Sequence, residues 1–203
     1  MWYTNTNSFW EEGKRALESA PLIVIGQRKE GVPLHVVHEA LQEAGFPATF
    51  GLQLAGDAPV EALLSPDWET AFLRWQKPEL HEVILLQRWV LGSESEAEDT
   101  LKLVSKEAQK LPMSGGKLLI DTVLESAATL YTLDTLPALL ADEDHPAWGA
   151  MDIVLRTLAD WGEGIIYAEG EGFYDSDGEP MILDVDLTYD WGTDAEEEDD
   201  DEA

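Results

Sequence analysis

Pro21-Leu22-Ile23-Val24-Ile25-Gly26 is the stretch on which the reading of the fold turns. It is a continuous, β-branched apolar run of strand length, stopped by a glycine, and reads as a buried strand. A helix follows it directly. Pro33 suits a first turn, Leu34, Val37, Leu41 and Ala44 recur at helical spacing, and Gly45 ends the pattern. On the other side, residues 1–20 predict one short helix. Asn7 or Ser8 caps it, Glu11 and Glu12 sit near the positive end of its dipole, and Phe9, Trp10 and Leu17 supply its apolar face.

Further along, Thr49 to Ala55 alternates, with Phe50, Leu52 and Leu54 on one side, and predicts a strand. Pro59 to Leu64 reads as one helical turn. Residues 67–77 fit a helix through Trp68, Ala71, Phe72 and Trp75, or a strand through Ala71, Leu73 and Trp75. The strand is preferred, because Val83 to Leu91 is a clear strand and Lys77-Pro78-Glu79 makes a turn between the two. Ser93 or Ser95 then caps a helix with Leu101, Val104, Ala108 and Leu111 as its stripe, ending at Pro112 and Gly115-Gly116. Lys117 to Val123 and Ala127 to Thr132 read as two strands, with a helix over 121–131 as the competing pattern. Asp134 or Thr135 caps a short helix containing Pro137, and Pro146 opens another with Trp148, Met151, Leu155, Leu158 and Trp161. Ile165 to Tyr174 and Met181 to Leu187 read as strands joined at Asp175-Ser176-Asp177-Gly178, a strong hairpin signal.

Strands in local pairs with interspersed helices argue for an α+β class: an antiparallel or mixed sheet with helices packed on one face and a C-terminal β-hairpin. Residues 22–123 fit a split βαβ, ferredoxin-like plait, an analogy that carries no function. No long Pro/Gly/Ser linker and no fixed-period repeat divides the chain. The expected organisation is a single α+β domain over 1–192 and a disordered acidic tail over 193–203.

Charge bounds the function. The chain has 203 residues, 42 acids, 12 bases, a net charge of −30 and no cysteine. Of these, 18 acids and no base lie between Thr157 and Ala203, and eight acids fall within Asp194 to Ala203. A run of like charge with no apolar residue larger than alanine cannot collapse on its own. It acts as a solubilising tail or as an electrostatic arm for a basic partner. Direct nucleic-acid binding through a basic face is not expected, because phosphate contacts need clustered Lys and Arg. No apolar run approaches the ~18 residues of a membrane span. The start, Met1-Trp2-Tyr3-Thr4-Asn5, lacks the basic region of a signal peptide, so a cytoplasmic location is expected. Zero cysteine removes thiolate metal sites, cysteine nucleophiles and disulfides.

Few constellations carry chemistry. His35 and His38 share a helix face at i, i+3, a spacing that suits zinc. No third ligand is evident, since His81 and His145 lie in distant settings, and a partly buried structural role is preferred. Ser114-Gly115-Gly116-Lys117 superficially resembles a phosphate loop, but Leu118 stands where Ser or Thr is required, and a helix C-cap is the better reading. The acidic hairpin is more informative. Glu169, Glu171, Asp175, Asp177, Glu179, Asp184 and Asp186 place seven acids in 18 residues. With Gly178 at the sixth position of a calcium loop, Phe173 would occupy the first and cannot ligate, so this is no EF-hand. A looser Ca²⁺ or Mg²⁺ site and general acid–base pairing remain as chemistry for these carboxylates. No cofactor is implied and no nucleophile elbow, kinase set or triad string is present. Eight tryptophans mostly serve the core, while Trp2 and Trp191 in terminal segments are candidate interface anchors.

The expected function is a non-enzymatic acidic protein-binding module, such as an inhibitor, immunity or accessory protein, that engages a basic partner. The alternatives are a DNA mimic that occupies a nucleic-acid-binding protein, a divalent-cation site on the 169–186 hairpin, or acidity as a solubility trait of a high-salt proteome.

Overall fold

The fold is seen in a computed structural model that describes residues 22–53, 56–75, 83–92, 96–134 and 147–182. Seven strands form one sheet: β1 (Leu22–Gly26), β2 (Ala48–Gly51), β3 (Thr70–Trp75), β4 (Val83–Val90), β5 (Thr129–Asp134), β6 (Ile165–Ala168) and β7 (Gly172–Tyr174). Their spatial order is β2-β3-β4-β5-β1-β6-β7, and every neighbouring pair is antiparallel. The described helices are α1 (Leu34–Glu43), α2 (Val60–Leu64), α3 (Glu96–Gln109), α4 (Gly115–Glu125) and α5 (Ala147–Gly162). The class is α+β, and the helices pack against the sheet.

β1 explains the layering. It lies between β5 and β6, with Val24 opposite Tyr131 and Ile166, and Ile25 opposite Leu130 and Ile165. Successive side chains point to opposite faces. Val24 enters a core built with Leu34, Val37 and Leu41 of α1 and Met151, Val154 and Leu158 of α5. Ile23 and Ile25 enter a second core with Ala97, Val104 and Ala108 of α3 and Ile120 of α4. The strand is apolar at every position because both of its faces are covered. This corrects the expectation of helices on one face only: α1 and α5 cover one side, α3 and α4 part of the other.

α1 is placed by its ends. Pro33 leads in with extended backbone, and Gly45 closes with φ 81°. The Gly45 N–H donates to Gln42 O at 3.1 Å and the Phe46 N–H to Leu41 O at 2.8 Å, the double bond pattern of a glycine-closed helix end. The helix carries the chain from β1 to the far edge at β2. Three strands, β5, β4 and β3, lie between them, so the sheet is not the ferredoxin-like plait, which interposes one.

Three local expectations change. Residues 117–123 are helix α4, because Ser114 is its N-cap and accepts a hydrogen bond from Lys117 N–H at 3.1 Å. Ser114-Gly115-Gly116-Lys117 therefore opens a helix and is not a C-cap. β2 stops at Gly51, and Leu52 is exposed. The run 165–174 is itself a hairpin, β6–β7, turning at Glu169-Gly170-Glu171, where Gly170 has φ 82°. Beyond it, pairing with β7 reduces to a Tyr174–Pro180 bridge and one bond from Met181 N–H to Phe173 O at 2.9 Å. The helix over 1–20, the turn at 77–79, the caps Ser93 and Ser95, the helix near Pro137, the strand beyond Ile182 and the tail 193–203 lie outside the described residues.

Candidate functional site

Two consecutive turns carry the acids of the hairpin. The first joins β6 to β7, held by Glu171 N–H donating to Ala168 O at 3.1 Å. Glu169 and Glu171 project from it and are exposed. The second turn comes after β7. Asp175 Oδ1 accepts from the N–H groups of Asp177 and Glu179, both at 2.9 Å. Asp175 N–H donates to Glu179 O at 3.0 Å, and Gly178, with φ 77°, donates to Asp175 O at 3.1 Å. The Asp175 carboxylate is thus spent on building the turn. Asp177 and Glu179 stay exposed. Arg156 of α5 backs this turn, with its Nε 3.4 Å from Ser176 O and its Nη1 3.5 Å from Asp152 Oδ2.

Among the described residues, none of Glu169, Glu171, Asp177 and Glu179 is ion-paired. The charge is felt locally. Burial raises the Tyr167 phenol above its ordinary value, and the charges of Glu107 and Glu169 raise it further. Tyr174 is raised by burial and then by Glu171, whose Oε2 accepts from the Tyr174 hydroxyl at 3.5 Å. Residues 147–182 hold eight acids and one base. The result is a net negative, solvated end of the sheet that can attract a cationic group.

The other candidates separate. Among the described residues, no three His, Asp or Glu side chains converge as a metal site. His35 Nδ1 lies 3.4 Å from Leu63 O and His38 Nε2 lies 3.1 Å from Gln42 Nε2, so the two rings serve different partners. The Lys117 ammonium lies 2.5 Å from both carboxylate oxygens of Asp121 and points at no open loop. Asp184, Asp186, His81, His145, Trp2 and Trp191 lie outside the described residues. No described helix is long and apolar enough to cross a membrane.

One feature has no sequence signal: a cleft of about 510 Å³ lined by Asp67, Trp68, Glu69, Thr70, Gln87, Arg88, Trp89 and Val90. It forms where Thr70 pairs with Gln87. Arg88 ties its floor, donating to Lys29 O at 2.8 Å and Trp68 O at 3.5 Å. These residues are drawn together only by the β3–β4 register. Comparison with protein-family models, with curated proteins and with solved structures yields no match.

Proposed function

We propose that this protein is a non-enzymatic binding module that engages a basic protein partner through the two acidic turns. The supporting observation is the arrangement of Glu169, Glu171, Asp177 and Glu179: four exposed carboxylates on adjacent turns, none ion-paired among the described residues. Carboxylates held this way lose little on meeting a cationic surface and steer its approach over roughly a Debye length, ~10 Å at 0.1 M salt. The Asp175 carboxylate ties the second turn by accepting from the backbone N–H groups of Asp177 and Glu179, which limits the entropy lost there on binding. The lack of cysteine fits a reducing compartment, so the reading places the protein in the cytoplasm.

The test is affinity capture from the source cell with the intact chain and with a variant carrying Glu169→Gln, Glu171→Gln, Asp177→Asn and Glu179→Gln. Asp175 is left alone because the turn depends on it. A basic protein held by the wild type, released near 1 M NaCl and lost with the variant is the expected result. Equal capture by both forms would overturn the assignment. A captured partner whose site duplex DNA competes for would replace it with a DNA mimic.

A further inference from the structure

The cleft at the Thr70–Gln87 pair lies where β3 gives out and β4 runs on. Just before β3, Glu69 O still accepts from Arg88 N–H at 2.8 Å. β4 continues through Trp89 and Val90, paired with β5 on its other side. In an antiparallel sheet the backbone groups of successive residues point to alternate neighbours. Arg88 N–H points to the β3 side, and Leu91 N–H points the other way, donating to Ala128 O at 2.9 Å. Val90 N–H and C=O therefore point to the β3 side, one step past its last bond. The facing position falls to Asp67, but the Asp67 N–H donates to Ser65 Oγ at 3.1 Å. Among the described residues nothing meets the two Val90 backbone groups, and the cleft opens beside them.

The lining has a consistent chemistry. Trp89 is half-buried, packed against the core that α3 and α4 cover. Asp67 and Glu69 are exposed, and neither is ion-paired among the described residues. Arg88, the base among the lining residues, is turned inward. Its Nε is buried, a Cβ on Gly31 would meet Nε at 2.7 Å and Cζ at 2.8 Å, and its Nη2 donates to Lys29 O at 2.8 Å. The exposed charges of the cleft are thus the two carboxylates. Carboxylates beside an indole hold a guanidinium or ammonium through charge-assisted hydrogen bonds and attraction to the ring face. Thr70 and Gln87 add a hydroxyl and an amide. A volume of about 510 Å³ falls within the range of small-ligand sites, ~300–1,000 Å³.

We propose that this cleft binds an arginine side chain carried on an extended peptide. The peptide backbone pairs with Val90 in continuation of β3, and the guanidinium lies among Asp67, Glu69 and Trp89. Backbone pairing sets the register and the carboxylates select the charge, as in other cases of strand addition. The site is separate from the two acidic turns, since β5 and β1 lie between β4 and β6, and it does not depend on them.

The probe is the blocked tripeptide acetyl-Gly-Arg-Gly-amide, titrated into the ¹⁵N-labelled full chain. A matched peptide with citrulline in place of arginine keeps the shape and removes the charge. At millimolar arginine peptide the amide signals of Thr70 and Gln87 to Val90 and the Trp89 indole N–H should shift, and amide exchange at Val90 should slow. The citrulline peptide should bind at least about tenfold more weakly. Asp67→Asn/Glu69→Gln should weaken the arginine peptide by a similar factor. Both side chains are exposed, and the fold uses only their backbone groups, so unaltered amide exchange in β3 and β4 is expected. The variant Glu169→Gln/Glu171→Gln/Asp177→Asn/Glu179→Gln should bind the peptide as the wild type does, which keeps this site distinct from the acidic turns. No shift at these residues, equal binding of the citrulline peptide, undiminished binding by Asp67→Asn/Glu69→Gln, or shifts confined to 169–179 would each overturn the proposal.

Discussion

Trp68 Nε1 donates to the Val32 carbonyl at 2.6 Å, across 36 residues. The Val32 N–H donates in turn to the Tyr131 hydroxyl at 3.3 Å, and the two rings lie 5.9 Å apart at 40°. Val32 is fully buried in the passage from β1 to α1. A buried loop residue has no strand partner for its backbone groups, so side chains must supply them. Trp68→Phe should leave the carbonyl unmet and cost about 1–3 kcal/mol. Tyr131→Phe, at the end of a longer bond, should cost less. Urea unfolding measures both, and because they share Val32 the double variant should be non-additive. A Trp68→Phe variant as stable as the wild type would show that the bond does not hold the crossover.

Gly115 and Gly116 are neighbours with opposite constraints. A Cβ on Gly115 meets nothing within 4 Å, whereas one on Gly116 strikes the Met181 carbonyl. Gly115→Ala should be neutral or stabilise by up to about 1 kcal/mol through lower unfolded-chain entropy. Gly116→Ala should destabilise by about 1–3 kcal/mol, since backbone must shift. It should also loosen the bond from Met181 N–H to Phe173 O. Thermal unfolding and amide exchange at Met181 check the pair.

β1 and α1 are legible in the sequence because their signals are local: a run apolar on both faces, and an apolar stripe between proline and glycine. α4 is not, because its signals conflict. Gly115-Gly116 reads as a stop, while Ser114 as cap makes it a start. Lys117 breaks the apolar stripe in sequence, yet Asp121 lets it lie on the buried side. The hairpin turns one segment earlier than expected because Asp177-Gly178 is the stronger turn string, although Glu169-Gly170-Glu171 is also a turn. The acids of the site are readable, but that Asp175 is consumed by the turn depends on hydrogen bonds. The cleft at Trp68 and Arg88 is not readable, because register between separate strands creates it.

Asp134 ends β5 opposite Leu85, half-buried, and burial holds its carboxyl above the ordinary aspartate value. The unfolded chain loses this proton near pH 3.9. The folded chain keeps it to higher pH, so between the two values the native state binds more protons and stability falls as pH rises. At neutral pH the charged group is a penalty. Asp134→Asn should therefore raise the melting temperature at pH 7. The gain should shrink as pH is lowered and vanish below about pH 3.9. Paired melts of wild type and variant across pH isolate this group from the other carboxylates. A gain of equal size at all pH values would mean that charge is not the cause.

Salt tests the charge distribution as a whole. Residues 147–182 hold eight acids and one base, and eleven further acids lie beyond them. The two acidic turns flank β7, which has three residues, so they stand about 10 Å apart along the strand. That equals the Debye length at 0.1 M, about 10 Å, and exceeds the length at 1 M, about 3 Å. Repulsion between the turns, and between them and the rest of the acidic end, is thus felt at low salt and screened at high salt. The melting temperature should rise with NaCl, by about 2–4 °C for each 1 kcal/mol of repulsion removed in a chain of this size. Ion binding obeys a different law: a ligand that binds only the folded state stabilises with the logarithm of its concentration over its dissociation constant. CaCl₂ and MgCl₂ at matched ionic strength separate the two. Equal rises with all three salts are expected from screening. A melting temperature indifferent to NaCl would remove the repulsion argument. A rise specific to Ca²⁺ and lost with Asp177→Asn would make the second turn a divalent-cation site, because screening depends on ionic strength and not on the identity of the ion.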